Sequence, residues 1–311
     1  MNPLSLLFGA AVAVKNSLYD QGTLKARRLT QPVVSVGNLS VGGTGKTPFV
    51  IALGKLLQQR GIAFDVLSRG YGRSAAGIAV VDPQGSPQQF GDEPLLIARK
   101  LGVPVIVGAE RYQVGLLAEK EFATRVHLLD DGFQHRRLHR DFDIVLLPRE
   151  DFRGSLLPVG RLREPHSALR RADAIVAFDP LRISGNPAQP WPALRTVKLS
   201  VAGKAVAFCA IGRPRQFFDA SRLQGQELAA EISFSDHHRY QRHDVERLLR
   251  LKRDTGADRF ITTEKDLINL GDLAARLQPL ETAELQIELE APDAALNFLL
   301  DTIERRTGCR L

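Results

Sequence analysis

A glycine-rich segment between an apolar run and a helical pattern constrains the fold more than any other feature. The segment SVGNLSVGGTGKTPFV spans residues 35–50 and begins within the apolar run PVVSV at 32–36. Its Gly45, Lys46 and Thr47 match the end of the pattern G-x-x-x-x-G-K-[ST], but Ser40 stands where that pattern has its first glycine. A strand, a glycine-rich loop and a helix in this order predict a loop whose backbone N–H groups surround phosphate.

Each part of this loop has an expected role in nucleotide binding. The glycines permit positive φ and close approach to phosphate oxygens. We expect Lys46 to reach the β- and γ-phosphates and the Thr47 hydroxyl to bind Mg²⁺. Pro48 is compatible with a first helical turn, where an N–H has no intrahelical partner. The alternative is a strand-to-helix turn without a ligand. The residues expected to bind nucleotide are Ser40, Val41, Gly42, Gly43, Thr44, Gly45, Lys46 and Thr47.

Apolar runs alternate with helical patterns from residue 32 onward. Helices are predicted at 91–102, 111–122 and 293–306. Strands are predicted at 32–36, 63–68, 76–81, 103–108, 126–131, 142–148, 172–178 and 204–212, with a strand and loop at 259–266. Strands rich in Val, Ile and Leu with helices between them predict an α/β, P-loop NTPase-like fold. Its sheet is mostly parallel, with helices on both faces. Ligands of such sheets bind at the carboxyl ends of the strands.

A change in composition predicts a domain boundary near residue 190. The segment 180–195 holds four prolines and the only tryptophan, which is typical of a linker or a domain edge. We therefore expect a P-loop unit over 1–190 and a smaller α/β unit over 191–311. The last helix, near 293–306, is a candidate for packing back on the first unit.

A second motif, VHLLDDGFQH at 126–135, supports the P-loop interpretation. An apolar strand that ends in acid is typical of the Mg²⁺ side of P-loop NTPases. Asp130 and Asp131 stand at this strand end. Because adjacent strand residues point to opposite sides, we expect one carboxylate to face the nucleotide and the other a neighbouring loop. The alternative is a strand end whose acids only cap a turn.

Two further segments offer groups for proton transfer. Asp92 precedes Pro94 in GDEPLLIARK, so it is either a helix cap or a carboxylate that accepts a hydroxyl proton. The segment FSDHHRY places His237 and His238 beside an acid, either as a proton-transfer pair or as a polar surface turn. No further ligands occur at zinc spacing. The segment TTEKD predicts a helix start capped by Thr263.

Composition limits the classes of partner. The 311 residues carry a net charge of +7, from 42 Lys and Arg against 35 Asp and Glu, which suits an anionic partner. Aromatic residues make up only 6% and no basic run is interleaved with them, which argues against single-stranded nucleic acid. The two cysteines, Cys209 and Cys309, form no metal signature and indicate a reducing compartment.

The N-terminus contains an almost wholly apolar run, residues 3–14, with no positive segment before it. No secretory signal is predicted. The run is shorter than the about 20 residues that a membrane-spanning helix needs. It either lies in a membrane interface, with Lys15, Lys25, Arg27 and Arg28 near anionic headgroups, or packs as a buried terminal helix.

Taken together, the motifs resemble the tetraacyldisaccharide 4′-kinase family, the lipid A 4′-kinases. They lie between residues 37 and 266 and read GNLSVGGTGKTP, SRGYGR, GDEP, LLDDGFQHRRL, LLPVGRLREP, FSDHHRY and TTEKD. The resemblance implies transfer of the γ-phosphate of ATP, with Mg²⁺, to the 4′-hydroxyl of a tetraacyl disaccharide 1-phosphate in lipid A biosynthesis. It also implies a two-domain P-loop fold and peripheral attachment to the cytoplasmic face of the inner membrane of a Gram-negative bacterium. It therefore favours the interfacial interpretation of residues 3–14.

The same resemblance implies roles for individual residues. Asp92 corresponds to the catalytic base, working with a histidine that best matches His237. Asp130 and Asp131 correspond to residues that bind or orient Mg²⁺ and ATP, beside Lys46 and Thr47 of the P-loop. The residues implied to line the substrate and nucleotide cleft are Arg69, Arg111, Arg163 and Glu164.

The main competing class is a P-loop switch ATPase of the partition or septum-positioning type, whose loops also contain GGTGKT. Such a protein needs no base on the acceptor side. The GDEP, DDGFQH and DHH elements therefore argue against it. A nucleic-acid-binding protein would use the net charge of +7, but no recognition motif supports this class.

Overall fold

The fold is seen in a computed structural model that describes residues 2–178, 187–200 and 203–311, and all of their side chains except that of Arg153. Its strands, in chain order, are β1 (Val33–Asn38), β2 (Phe64–Ser68), β3 (Ala79–Val80), β4 (Val105–Val107), β5 (Val126–Asp130), β6 (Phe142–Leu147), β7 (Ala174–Ala177), β8 (Gln189–Lys198), β9 (Gly203–Cys209), β10 (Gln226–Ser233), β11 (Arg259–Thr263) and β12 (Leu280–Leu289).

The α-helices are α1 (Pro3–Asp20), α2 (Lys46–Gln59), α3 (Pro87–Phe90), α4 (Asp92–Leu101), α5 (Arg111–Glu121), α6 (Pro214–Leu223), α7 (Arg242–Thr255), α8 (Glu264–Leu270) and α9 (Pro292–Thr307). Short 3-10 helices lie at Arg149–Arg153, His166–Arg171 and Gly271–Arg276.

The described strands form one sheet in the order β10-β9-β11-β12-β8-β7-β6-β1-β5-β2-β4-β3. Neighbouring strands are parallel except β3 with β4 and β8 with β12. Consecutive residues of β1 pack on opposite faces of the sheet: Val34 with Phe49 of α2, and Val33 with Val114 of α5. The prediction of a mostly parallel sheet covered on both faces is confirmed, and burial on both faces explains the Val-, Ile- and Leu-rich strands.

The expectation of a linker over 180–195 is wrong for its second half, which forms β8; residues 180–186 lie outside the described chain. The backbone N–H of Gln189 donates to the residue before β7, so the missing N–H groups of Pro190 and Pro192 face the other edge. Pairing with β12 begins only after them, and the carbonyl of Pro192 accepts from Glu290. Pro190 therefore costs no ladder hydrogen bond, and Pro192 lies at the end of the β8–β12 ladder, where its carbonyl accepts but its nitrogen cannot donate. Trp191 between them is buried.

The two terminal helices differ in how they meet the sheet. In α9, the Phe298 ring lies edge-on to Phe142 of β6, with centroids 5.9 Å apart. In α1 the only buried residue is Ser5, whose hydroxyl donates to the Leu156 carbonyl oxygen at 2.9 Å. A buried terminal helix therefore does not describe α1. Within the described residues, no helix is both long and apolar enough to cross a membrane.

Candidate active site

The glycine-rich loop connects β1 to α2 in the geometry expected of a phosphate-binding loop. Gly42 and Gly45 have φ of 84° and 94°, a left-handed region that glycine enters without strain. Gly45 immediately precedes α2, so the helix N-terminus opens onto the loop. The Lys46 ammonium lies 3.2 Å from Asn38 Oδ1 and 3.6 Å from Asp131 Oδ1. These contacts hold the lysine beside the loop.

Ser40, which replaces the first glycine of the general pattern, is buried and joins the loop to its surroundings. Its hydroxyl donates to Asp151 Oδ2 at 2.6 Å and accepts from Arg213 Nη2 at 3.3 Å. Arg213 also contacts Asp151 Oδ1 at 2.7 Å. The serine therefore ties the start of the loop to the turn at 149–153 and to the C-terminal half of the chain.

Asp130 and Asp131 both line the cleft, whereas strand alternation predicts opposite directions. The difference arises because β5 ends at Asp130 and Asp131 has a φ of 51°, outside the strand conformation. Ser68 donates to Asp130 Oδ2 at 3.1 Å. Arg163 makes a bidentate contact with Asp131, at 2.8 and 3.0 Å.

The electrostatics of this pair fit a bound divalent cation. Burial, together with Glu93 and Asp131, raises the pKa of Asp130 to about 7. Its Oδ1 is buried without a hydrogen-bond partner among the described residues. A buried carboxylate oxygen of this kind is a ligand that Mg²⁺ accepts. Burial also opposes ionisation of Asp131, but Lys46 and Arg163 lower its pKa overall.

Asp92 and His237, 145 residues apart, meet at the cleft. His237 Nδ1 lies 2.9 Å from Asp92 Oδ2 and 3.1 Å from Oδ1. Asn269 donates to Asp92 Oδ2 at 3.1 Å, and the Lys265 ammonium lies 3.9 Å from the same oxygen. Asp92 is the first residue of α4, so it does not hold the N-cap position. The only hydrogen bond that its side chain makes within the helix is from the Glu93 backbone N–H, at 2.9 Å.

The two groups shift each other's protonation in opposite directions. Burial alone raises the pKa of Asp92, but Lys265 and the hydrogen bond with His237 bring it well below its usual range. Burial lowers the pKa of His237, but the hydrogen bond with Asp92 raises it overall. The pair therefore combines an ionised carboxylate with an unusually basic imidazole.

The neighbouring histidine has a different environment. His238 Nε2 lies 2.9 Å from Asp244 Oδ2, and its ring stacks on Phe234 with centroids 4.7 Å apart. Asp244 also accepts from the backbone N–H of Gln241 at the start of α7. His238 thus supports a helix start, whereas His237 lines the cleft.

The cleft has a volume of about 510 Å³ and lies between the two halves of the chain. Its N-terminal side carries the P-loop, both aspartates, Arg69 and Arg163. Its C-terminal side carries His237 and Lys265 and an apolar wall that includes Val197, Ile211, Phe217 and Leu285. A charged floor beside an apolar wall suits a ligand with phosphates and a flat ring.

Two residues expected in the cleft are held elsewhere. Arg111 is buried at the start of α5, where Nη1 donates to the Ala109 carbonyl oxygen at 2.6 Å. Glu164 is also buried, with its carboxylate 3.0 Å from Arg171 and 2.7 Å from the Asn16 amide. Neither residue lines the cleft.

Several cleft residues were not expected from the sequence. In the TTEKD motif, the capping role of Thr263 is confirmed, since its hydroxyl accepts from the Asp266 N–H. The same motif also delivers Lys265, whose ammonium lies 2.9 Å from Glu93 Oε1. Arg195 and Arg213 come from segments without a motif. A lysine inside a motif was a usable signal, but the two arginines carried none.

Comparisons with known proteins agree with this geometry. The family model for tetraacyldisaccharide-1-P 4′-kinase, LpxK, matches residues 1–304. A tetraacyldisaccharide 4′-kinase from Koribacter versatilis is 52% identical, over 99% of this chain and 100% of that protein. Another from Geobacter metallireducens is 38% identical, over 93% of each. The crystal structure of "apo" form LpxK from Aquifex aeolicus in complex with ATP is 33% identical, with a TM-score of 0.78 over 97% of this chain and 98% of that one.

Proposed function

Because the chain belongs to the tetraacyldisaccharide-1-P 4′-kinase family, we propose that it transfers the γ-phosphate of ATP to the 4′-hydroxyl of a tetraacyl disaccharide 1-phosphate, a step of lipid A biosynthesis. The observation that carries this proposal is the Asp92–His237 pair at the same cleft as the P-loop. A kinase needs a group that receives the acceptor proton, whereas a switch ATPase does not. The site and the relatives therefore favour the kinase over the switch ATPase.

Positioning and charge neutralisation account for most of the catalysis in this proposal. Lys46 and Arg163 would offset negative charge on the transferring phosphate. Thr47, Asp130 and Asp131 are the residues that would hold Mg²⁺, and the partnerless Oδ1 of Asp130 supports this assignment. Bound Mg²⁺ would neutralise charge on the β- and γ-phosphates. The apolar wall on the C-terminal side would receive the adenine ring of ATP.

The Asp92–His237 pair would handle the proton of the acceptor hydroxyl. His237 lines the cleft, and its Nδ1 faces Asp92, so Nε2 is the ring nitrogen that would receive the acceptor proton. Asp236 Oδ1 lies 3.8 Å from this Nε2. Asp92 lies behind the His237 ring with its side chain 4% exposed. Asp92 would fix the ring orientation and stabilise its protonated form, so the two residues act as one unit.

The exposed apolar residues of α1 support attachment to a membrane. Leu4, Leu7 and Val14 are 59%, 68% and 60% exposed, and Lys15 is exposed beside them. We propose that α1 lies in the cytoplasmic face of the inner membrane and brings the cleft to its lipid substrate. Within this proposal, residues 1–190 and 191–311 form two units that close on the substrate and exclude water.

The test is an acceptor-dependent transfer assay with the full-length protein. Mg²⁺, radiolabelled ATP and detergent-dispersed tetraacyl disaccharide 1-phosphate should yield a bis-phosphorylated lipid. The matched control acceptor already carries a 4′-phosphate and should give no labelled lipid. ATP turnover should be slow without acceptor. Absence of transfer, with ATP hydrolysis stimulated by a protein or a nucleic acid, would instead support the switch ATPase.

A further inference from the structure

Arg195 of β8 reaches across the cleft to the P-loop. Its Nη2 donates to the Thr44 carbonyl oxygen at 2.5 Å and lies 3.0 Å from the point that a Cβ on Gly45 would occupy. Its Nη1 donates to Gln216 Oε1 at 2.9 Å. The guanidinium lies 4.4 Å from the centroid of the Phe178 ring. The arginine therefore stands beside the residues where α2 begins and where phosphates bind in a P-loop.

The contacts of this guanidinium are all with neutral groups: a carbonyl, an amide and an aromatic ring. Its Nε is buried and has no hydrogen-bond partner within the part of the chain that the structure describes. The nearby Glu150 is occupied by Gln216 at 2.9 Å and by Arg213 at 3.1 Å. Burial, together with the charge of Arg213, lowers the pKa of Arg195 to about 10.

Three other cations of the cleft have carboxylate partners. Lys46 and Arg163 contact Asp131, and Lys265 contacts Glu93. Arg195 forms no such ion pair within the described residues. A partly buried cation without a counter-charge is unfavourable unless a ligand supplies the charge.

We propose that Arg195 is a phosphate ligand of the bound nucleotide, brought to the P-loop by β8. The planar guanidinium suits a phosphate with two acceptor oxygens, and an anion at Thr44–Gly45 is within its reach. Because β8 pairs with both β7 and β12, this contact ties phosphate binding to the strand that joins the two halves of the sheet. The inference rests on the ATP-dependent function proposed above.

The test compares Arg195→Gln with the unmodified full-length protein by calorimetric titration with Mg-ATP, Mg-ADP and adenosine. The variant should lose about 10- to 100-fold in affinity for both phosphorylated ligands and keep its affinity for adenosine. Its melting temperature without nucleotide should stay equal or rise, because the substitution removes an uncompensated charge. Equal losses for ATP and adenosine, or unchanged ATP affinity, would overturn the proposal.

Two further variants make the result unambiguous. Arg195→Lys keeps the charge without the planar fork, so it should fold and show an intermediate loss of ATP affinity. If Arg195→Gln fails to fold, the ATP affinity of Arg195→Lys decides the proposal. A reduced affinity supports it, and an unchanged affinity refutes it. Arg222→Gln changes an exposed arginine that pairs with Asp219 and Glu231, and should leave every affinity unchanged. If the unmodified protein binds no ATP, the proposed function fails first.

Discussion

At the scale of single residues, backbone strain marks the cleft. Asp131 and His237 are the non-glycine residues with positive φ among the described residues, at 51° and 58°. Such a conformation costs on the order of 1 kcal/mol and persists where surrounding contacts hold it. Lys46 and Arg163 hold Asp131, and Asp92 holds His237. The strained residues are therefore those that the proposed mechanism needs in fixed positions.

The first residue-scale prediction concerns Asp92→Asn. We expect kcat to fall by about 10²- to 10⁴-fold, because the amide cannot stabilise a protonated His237. ATP affinity should change little, since the P-loop is intact. Steady-state kinetics and nucleotide titration measure the two effects separately. Asp293→Asn, at the exposed start of α9, is the matched control and should change neither. Loss of ATP binding in Asp92→Asn would indicate a structural role for Asp92 instead.

The second residue-scale prediction concerns the pH dependence of kcat. The pKa of His237 is raised above its ordinary 6.5, whereas the pKa of Asp92 is lowered, so Asp92 stays ionised through neutral pH. Below its pKa the imidazole is protonated and cannot accept the hydroxyl proton. We therefore expect kcat to fall on acidification with a midpoint above 6.5. A profile that stays flat through this range would assign proton acceptance to Asp92 alone.

At the scale of elements, α1 and β8 show opposite uses of apolar residues. Trp191 of β8 is 4% exposed and stacks near Phe142 with centroids 5.9 Å apart, so its burial stabilises the sheet. In α1, by contrast, Leu4, Leu6, Leu7 and Val14 are exposed. An exposed row of this kind indicates an interaction surface.

The element-scale prediction concerns the double variant Leu4→Ser and Leu7→Ser. Binding to phosphatidylglycerol vesicles should weaken by about tenfold or more, because each buried leucine contributes about 1.5–3 kcal/mol. The melting temperature in detergent should not change. Vesicle sedimentation measures the bound fraction. Leu223→Ser, at the exposed end of α6, removes a leucine that is 86% exposed and should leave binding intact. Unfolding of the double variant would instead show that α1 packs on the protein.

At the scale of the whole molecule, a buried ionic cluster contributes to folding away from the cleft. His127 of β5 and Asp65 of β2 are fully buried, with His127 Nδ1 2.8 Å from Asp65 Oδ1. Glu119 of α5 lies 3.5 Å from His127 Nε2. Burial lowers the pKa of His127, but its hydrogen bond with Asp65 raises it overall. His127 and Asp65 join two strands, and Glu119 adds the helix that covers them.

The whole-molecule prediction concerns His127→Gln. The folded-state pKa of His127 lies above the unfolded value of 6.5, so its contribution is full below 6.5 and declines as pH rises through the folded value. Removing one partner of a buried pair costs about 3–5 kcal/mol. Urea unfolding should therefore show a larger destabilisation at about pH 6 than at about pH 9. His243→Gln, at a 72% exposed position, is the control. A pH-independent difference would contradict the assignment.

The sequence by itself determined the features that depend on neighbouring residues. Glycine spacing defines the P-loop, and apolar runs define the buried parallel strands. The acid after a strand marks Asp130 and Asp131. These signals are readable because backbone conformation and burial repeat over a few residues. Resemblance to a known family then assigned the reaction, which the family and relatives support.

Tertiary structure decided what depends on residues far apart in the chain. Strand β8 resembles a linker until β7 and β12 lie beside it, since only their positions show that the prolines lie before or at the end of the β12 ladder. His237 and His238 are neighbours in the chain, so local sequence does not separate their roles. Their environments differ because α4 brings Asp92 to His237 and α7 brings Asp244 to His238. Arg195 likewise meets the P-loop only because the strand order brings β8 beside it. Electrostatic and hydrogen-bond partners are chosen by distance in space, which local sequence patterns do not encode.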